Sequence, residues 1–112
     1  MATLEFCDVV LVRVPYTDQS ETKLRPAVVV SSTCYQRSRA DVILMAITSR
    51  TDGPLRFGDV ELAEWDAAGL RKPSRVKPVI ATLQRDLVRR RLGHLGPEDR
   101  AAVRDSLSGI LG

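Results

Sequence analysis

Three segments rich in β-branched residues, joined by links without helical periodicity, do most to restrict what this chain can fold into. They are "CDVVLVRV" (7–14), "PAVVVSS" (26–32) and "ADVILMAITS" (40–49). Each reads as a strand, because branched side chains pack well on a pleated surface and lose rotamer freedom in a helix. In the first, Val10, Val12 and Val14 share one face while Arg13 takes the other. The second shows no alternation, so both of its faces should be covered. "DVEL" (59–62) is a shorter strand, and "AEWDAAGL" (63–70) a helical turn ending at Gly69. In "SRVKPVIATL" (74–83), Pro78 has no N–H for a ladder and marks an edge or a bulge. "QRDLVRRRL" (84–92) reads as a short helix that stops at Gly93.

The segment "GPEDRAAVRDSLSGIL" (96–111) carries a clear helical pattern. Pro97 stands at a first helical position, Glu98 and Asp99 occupy the positive first turn, and Val103, Leu107, Ile110 and Leu111 recur at helical spacing. Short strands, short links and one closing amphipathic helix give a mainly β domain, a small, strongly twisted sheet or partly open barrel covered on one side by the helix. At 112 residues the chain is expected to form one domain spanning 1–112. No apolar run approaches the ~20 residues of a membrane span. No basic segment followed by an apolar stretch opens the sequence, so a cytoplasmic location is expected. Cys7 and Cys34 are then expected to be reduced thiols filling small core spaces. With a single histidine and no close cysteine spacing, no metal site is expected.

Charge is uneven although the net value is only +3. Between positions 71 and 91 stand Arg71, Lys72, Arg75, Lys77, Arg85, Arg89, Arg90 and Arg91, opposed by Asp86 alone. Such a run is either a solvated face or a field that draws phosphates. Arg25 raises a sharper question, since it sits in "TKLRPAVVVSS" (23–33) at the threshold of a core strand. Thr48 and Ser49 end the third strand and Arg50 comes just after it, so Arg25 and Thr48 can converge where neighbouring strands finish. An arginine fork plus a hydroxyl suits a phosphodiester whose transition state gains charge on its oxygens. A turn arginine and a strand-capping threonine are the plainer alternative.

The order "DVVLVRVPYTDQSETKLRPAVVVSS", "DVILMAITSR", "AGLRKPSRVKPVIATL", "RRRLGHLGPEDRAAVRDSL" resembles the MazF/PemK family of bacterial toxins from about Cys7 to Leu111. "RPAVVVS" followed about twenty residues later by "ITSR", and then the "LG-L-PED" ending, carry the likeness. The resemblance implies an SH3-like, partly open β-barrel of the MazF/PemK/CcdB type with a C-terminal helix, and a homodimer. It implies a sequence-selective endoribonuclease, independent of metal and cofactor, that cuts single-stranded RNA, with mRNA the expected substrate, by 2′-hydroxyl attack and is silenced by a cognate antitoxin protein. Arg25 of the "RP" motif and Thr48 of the "TS" motif carry over as catalytic residues. RNA binding or gating is expected of Tyr16, Ser20, Glu21, Lys23, Ser49, Arg50, Lys77 and Arg85. His94 is the chain's one histidine, so a histidine acid–base pair is not available. Glu21 is a possible base or a solvated loop acid.

Three positions depart from the family's pattern: Cys7 where glycine is usual, Glu21 where a small residue is frequent, and Gly96 where serine often precedes the helix. The same barrel also serves gyrase poisons and RNA-binding members without catalysis, and these are the competing readings. Aromatic residues make up 4% of the chain, too few for a broad base-stacking platform. Trp65, among apolar neighbours, reads as a lid on the core.

Overall fold

The computed structural model describes residues 3–13 and 23–112. Valine-rich stretches become β1 (Asp8–Arg13), β2 (Leu24–Val29) and β3 (Asp41–Thr48), followed by β4 (Val60–Glu61), β5 (Arg75–Gln84) and β6 (Val88–His94). Two helices complete the fold, α1 (Thr33–Ser38) and α2 (Pro97–Leu111). The strands form one sheet in the order β4-β5-β3-β2-β1-β6, antiparallel throughout. β4 and β6 end the order without pairing to each other, so the sheet stays open, as a partly open barrel requires.

Both faces of the central strands are buried, which explains their unbroken apolar runs. Val9, Val28, Met45, Ile47 and Val76 face α2, where Val103 is buried and Leu107 and Ile110 pack alongside. Trp65 packs against this same cluster, partly buried. Val10, Val12, Ala27, Val29, Val42 and Leu44 form the opposite cluster with Leu4 and Val88. Leu111, counted in the helical stripe, is instead 70% exposed at the last turn.

Pro78 sits where β5 carries extra residues. Met45 pairs with Ile80 and Ile47 with Val76, so Ala46 alone faces Lys77, Pro78 and Val79. β4 pairs only with Arg75 and Val76 and never reaches the proline. The bulge absorbs the missing donor.

Two elements differ from the sequence reading. The strand expected to reach Ser32 stops at Val29, and Ser32 caps α1, its Oγ accepting from the Tyr35 N–H at 3.1 Å. The helix expected over 84–92 is a 3-10 turn at Arg85–Leu87 followed by β6. Val88 is buried against β1, and pairing with β1 along the strand overrides the local preference of "RRRL" for helix.

The cysteines also part company. Cys34 is exposed, and Cys7 is fully buried with φ +72°, the left-handed region that glycine occupies at little cost. Its N–H donates to Val29 O at 2.6 Å and its carbonyl accepts from Leu95 N–H at 3.0 Å, which holds the conformation. Burial pushes the Cys7 thiol from an ordinary value near 9 up to about 11, against a weaker downward pull from Arg100 and Arg104. The folded state therefore keeps its proton while the unfolded chain loses it. Stability should fall between pH 9 and 11, by up to about 1.4 kcal/mol per pH unit. Denaturant melts of the parent and Cys7→Ala proteins across that window isolate the effect, which the variant should lack. Identical pH dependence in the two would contradict it.

Candidate functional site

Arg25 and Thr48 line one cleft. Its wall is formed by Leu11, Leu24, Arg25 and Pro26 from β1 and β2, Ile47 to Arg50 at the end of β3, Gly69 to Lys72 with Ser74, and Arg90 and Leu92 on β6. The volume is about 580 Å³. The strand register explains the convergence. Ala27 faces Ala46 in the last β2–β3 pair, and the same offset carried two residues further sets Arg25 against Thr48. Pro26 contributes no N–H there, and the ladder stops short of both residues.

Thr48 is half-buried, and its Oγ1 accepts from the Arg50 N–H at 3.1 Å. That contact orients the hydroxyl and leaves its proton free to donate. The cleft holds five cations, Arg25, Arg50, Arg71, Lys72 and Arg90, and no acid or histidine among its described lining residues. Among the described residues, none of the five pairs with a carboxylate. Unneutralised cations around a concave wall attract a polyanion.

The basic run therefore divides. Arg71, Lys72 and Arg90 line the cleft, whereas Arg75, 5% exposed, is structural: its Nη2 donates to Thr51 O at 2.8 Å and to Glu61 at 3.0 Å. Through Thr51 it steadies the link that carries Ser49 and Arg50. Lys77 lies off the cleft and holds Asp59 at 3.1 Å. The Arg56 N–H and then Lys77 keep the Asp59 carboxyl below its usual range. Arg85 also lies elsewhere, donating to Gln36 O at 2.6 Å beside the β3–β5 end of the sheet. Lys23 is exposed just before β2, outside the cleft lining.

Tyr16, Ser20 and Glu21 lie outside the described residues. His94 is engaged in the scaffold: its Nδ1 lies 2.8 Å from Oδ1 of Asp8, whose Oδ2 accepts from Glu5 N–H. Among the described residues, no three His, Cys, Asp or Glu side chains converge on a metal-sized site. No helix among them is long and apolar enough to cross a membrane. Arg71, Lys72 and Arg90 are the cleft residues that sequence reasoning did not single out. Only their place in the charge run hinted at them.

Comparison with known proteins agrees with this architecture. A mycobacterial endoribonuclease in complex with its cognate antitoxin superposes with a TM-score of 0.77 at 21% identity, over 100% of this chain and 96% of that one. MazF in a MazE-MazF complex from Deinococcus radiodurans gives 0.78 at 22%, over 99% and 98%. The Mycobacterium tuberculosis toxin MazF-mt6 gives 0.74 at 17%, over 93% and 95%. No curated protein matches the chain significantly. The family pattern of PemK-like, MazF-like toxins of type II toxin-antitoxin systems matches residues 5–111, nearly the full length, and the chain belongs to that family.

Proposed function

We propose that this toxin is a sequence-selective endoribonuclease that cuts single-stranded RNA without a metal ion. The observation that carries the reading is the cleft itself. It joins the Arg25 guanidinium and the Thr48 hydroxyl within a wall of cations that, among the described residues, no carboxylate neutralises. An RNA phosphodiester can be cut by its own 2′-hydroxyl, so the protein needs to move protons and neutralise growing charge. The O2′–P bond forms as the P–O5′ bond breaks, the 2′-hydroxyl gives up its proton and the departing O5′ takes one up, leaving a 2′,3′-cyclic phosphate and a 5′-hydroxyl.

Arg25 presents a planar fork that matches two phosphoryl oxygens, and its guanidinium is assigned the proton given to the leaving O5′. Thr48, with one lone pair taken by the Arg50 N–H, donates to a non-bridging oxygen. Ser49, Arg50, Arg71, Lys72 and Arg90 hold the flanking phosphates. The described lining supplies no base for the 2′-proton, and Glu21 is the carboxylate that stands next before Arg25 in sequence. Sequence preference is assigned to the stretch before Arg25, where Ser20, Glu21 and Lys23 carry over by resemblance. A homodimer and a cognate antitoxin that silences the site by an acidic, apolar tail complete the proposal, since the cleft offers such a tail complementary charge.

Purified protein incubated with a long RNA in EDTA tests it. Cleavage should persist, leave cyclic-phosphate ends, map to a preferred sequence, and stop when cognate antitoxin saturates the toxin. Loss of activity on chelation with recovery in magnesium would overturn the mechanism, and intact RNA under every condition would overturn the function.

A further inference from the structure

The wall that brings Arg71 and Lys72 to the cleft is tethered from behind by a buried carboxylate. Asp99, in the first turn of α2, is 2% exposed. Its Oδ1 accepts from the Ala63 N–H at 2.9 Å and its Oδ2 from the Glu64 N–H at 3.0 Å. An aspartate at this point of a helix commonly serves the free N–H groups of its own first turn. Here both oxygens turn to the neighbouring loop, although Gly96 supplies no side-chain cap to α2.

From Glu64 onward the loop is internally braced. Ala68 N–H donates to Glu64 O at 3.2 Å, Gly69 N–H to Asp66 O and Leu70 N–H to Trp65 O, both at 3.1 Å. Ser74 Oγ closes the far end on Lys72 O at 2.8 Å, and Leu62 N–H reaches Ser74 O at 3.1 Å. A Cβ added at Gly69 would meet Leu92 O at 2.3 Å, and one at Gly93 would meet Ala68 O at 2.3 Å. The loop therefore sits backbone to backbone on β6. A shift at Ala63 and Glu64 has little slack in which to dissipate before Arg71 and Lys72.

We infer that Asp99 is a positioning residue for RNA binding, fixing Arg71 and Lys72 in the cleft wall. This rests on the reading of the cleft as an RNA site. Asp99 touches no substrate and leaves the bond-breaking step to Arg25 and Thr48. Its loss should weaken phosphate contacts while sparing turnover at saturating RNA.

The probe is a fluorescent, mixed-sequence 2′-O-methyl oligoribonucleotide, which cannot cyclise, with binding followed by anisotropy over a series of KCl concentrations. Asp99→Asn keeps the side-chain volume and one acceptor. Its plot of log affinity against log salt should be shallower than the parent's by about 1.4, two single-strand phosphate contacts at about 0.7 each. The pair Arg71→Ala and Lys72→Ala should flatten it equally, and adding Asp99→Asn to that pair should change little further. kcat of the Asp99→Asn protein on cleavable RNA should stay within about twofold of the parent's. A folded Asp99→Asn protein with the parent's slope, or losses that add, would overturn the inference.

Amide hydrogen exchange on the unmodified protein gives a reading that needs no variant. The Ala63 and Glu64 amides should be protected together with α2, and fast independent exchange would refute the tether even if Asp99→Asn did not fold. A parent protein that neither binds nor cuts RNA would instead remove the proposed function, with exchange still reporting on the tether.

Discussion

Arg25→Ala protein is expected to melt like the parent and to cut RNA at least about 10²-fold more slowly, a loss of roughly 2.7–4 kcal/mol of transition-state stabilisation. The two halves of this expectation come from different facts. Arg25 is exposed and, among the described residues, pairs with no carboxylate, so its removal should move stability by within ~0.5 kcal/mol. Yet it stands at the mouth of a strand whose next residues, Ala27, Val28 and Val29, are fixed in the core. A cation on so rigid a base is already placed when charge develops on phosphorus. Arg25→Lys should recover little, because a point charge does not reproduce a planar fork. Thr48→Ala should also be slow, and the double variant less than additive, since both residues serve one transition state. Single-turnover cleavage beside thermal melts reads all four proteins. Near-parent turnover by folded Arg25→Ala protein would return Arg25 to the role of a turn residue.

The parts of the fold legible in sequence are those whose cause is local. β-branching and unbroken apolar runs marked β1, β2 and β3, and the "PED" start with its helical spacing marked α2. Pro78 announced an irregularity because a missing N–H is a local fact, and the bulge stands there. β6 was illegible because "RRRL" has no alternation to reveal a strand, and only β1 lying beside it supplies the pairing. The same limit governs the site. Arg25 and Thr48 could be placed at strand ends, and the β2–β3 register does the rest. The run from Arg71 to Arg91 could not be divided in advance. Lys72 and Lys77 differ not in chemistry but in whether a partner such as Asp59 lies within reach. Glycine's usual place before the β1 aspartate shows its reason only in the backbone, where Cys7 has φ +72°. Asp99 looked like a dipole partner for its own helix, and its bonds to Ala63 and Glu64 join residues more than thirty apart.

Gly69→Ala and Gly93→Ala should be the most destabilising single substitutions among the glycines, and each should damage RNA binding beyond its effect on stability. At Gly93 the added Cβ would come 2.3 Å from Ala68 O and 2.7 Å from its carbonyl carbon, a collision with backbone that no rotamer change relieves. At Gly69 it would come 2.3 Å from Leu92 O, with φ +92° adding left-handed strain. Overpacking and strain together should cost about 2–4 kcal/mol, a melting temperature lower by roughly 10–20 °C. Two further glycines calibrate the series. Gly53 has φ +86° but open space around it, so Gly53→Ala should cost only about 1–2 kcal/mol of backbone strain. Gly109 lies inside α2 with its added Cβ 3.4 Å from the Phe57 ring, an ordinary contact. Gly109→Ala should therefore stabilise by up to about 1 kcal/mol through helix propensity. The functional half follows from where the two clashes act. Both push the Ala68–Gly69 backbone away from β6, and Leu70, Arg71 and Lys72 of that loop line the same cleft as Arg90 and Leu92 of β6. Measured well below its melting temperature, Gly93→Ala protein should still bind the non-cleavable oligoribonucleotide less tightly and with a shallower salt dependence than the parent. Gly53→Ala protein, strained at a residue that does not line the cleft, should bind as the parent does. Equal binding by both variants would mean that the approach of the loop to β6 serves the core alone.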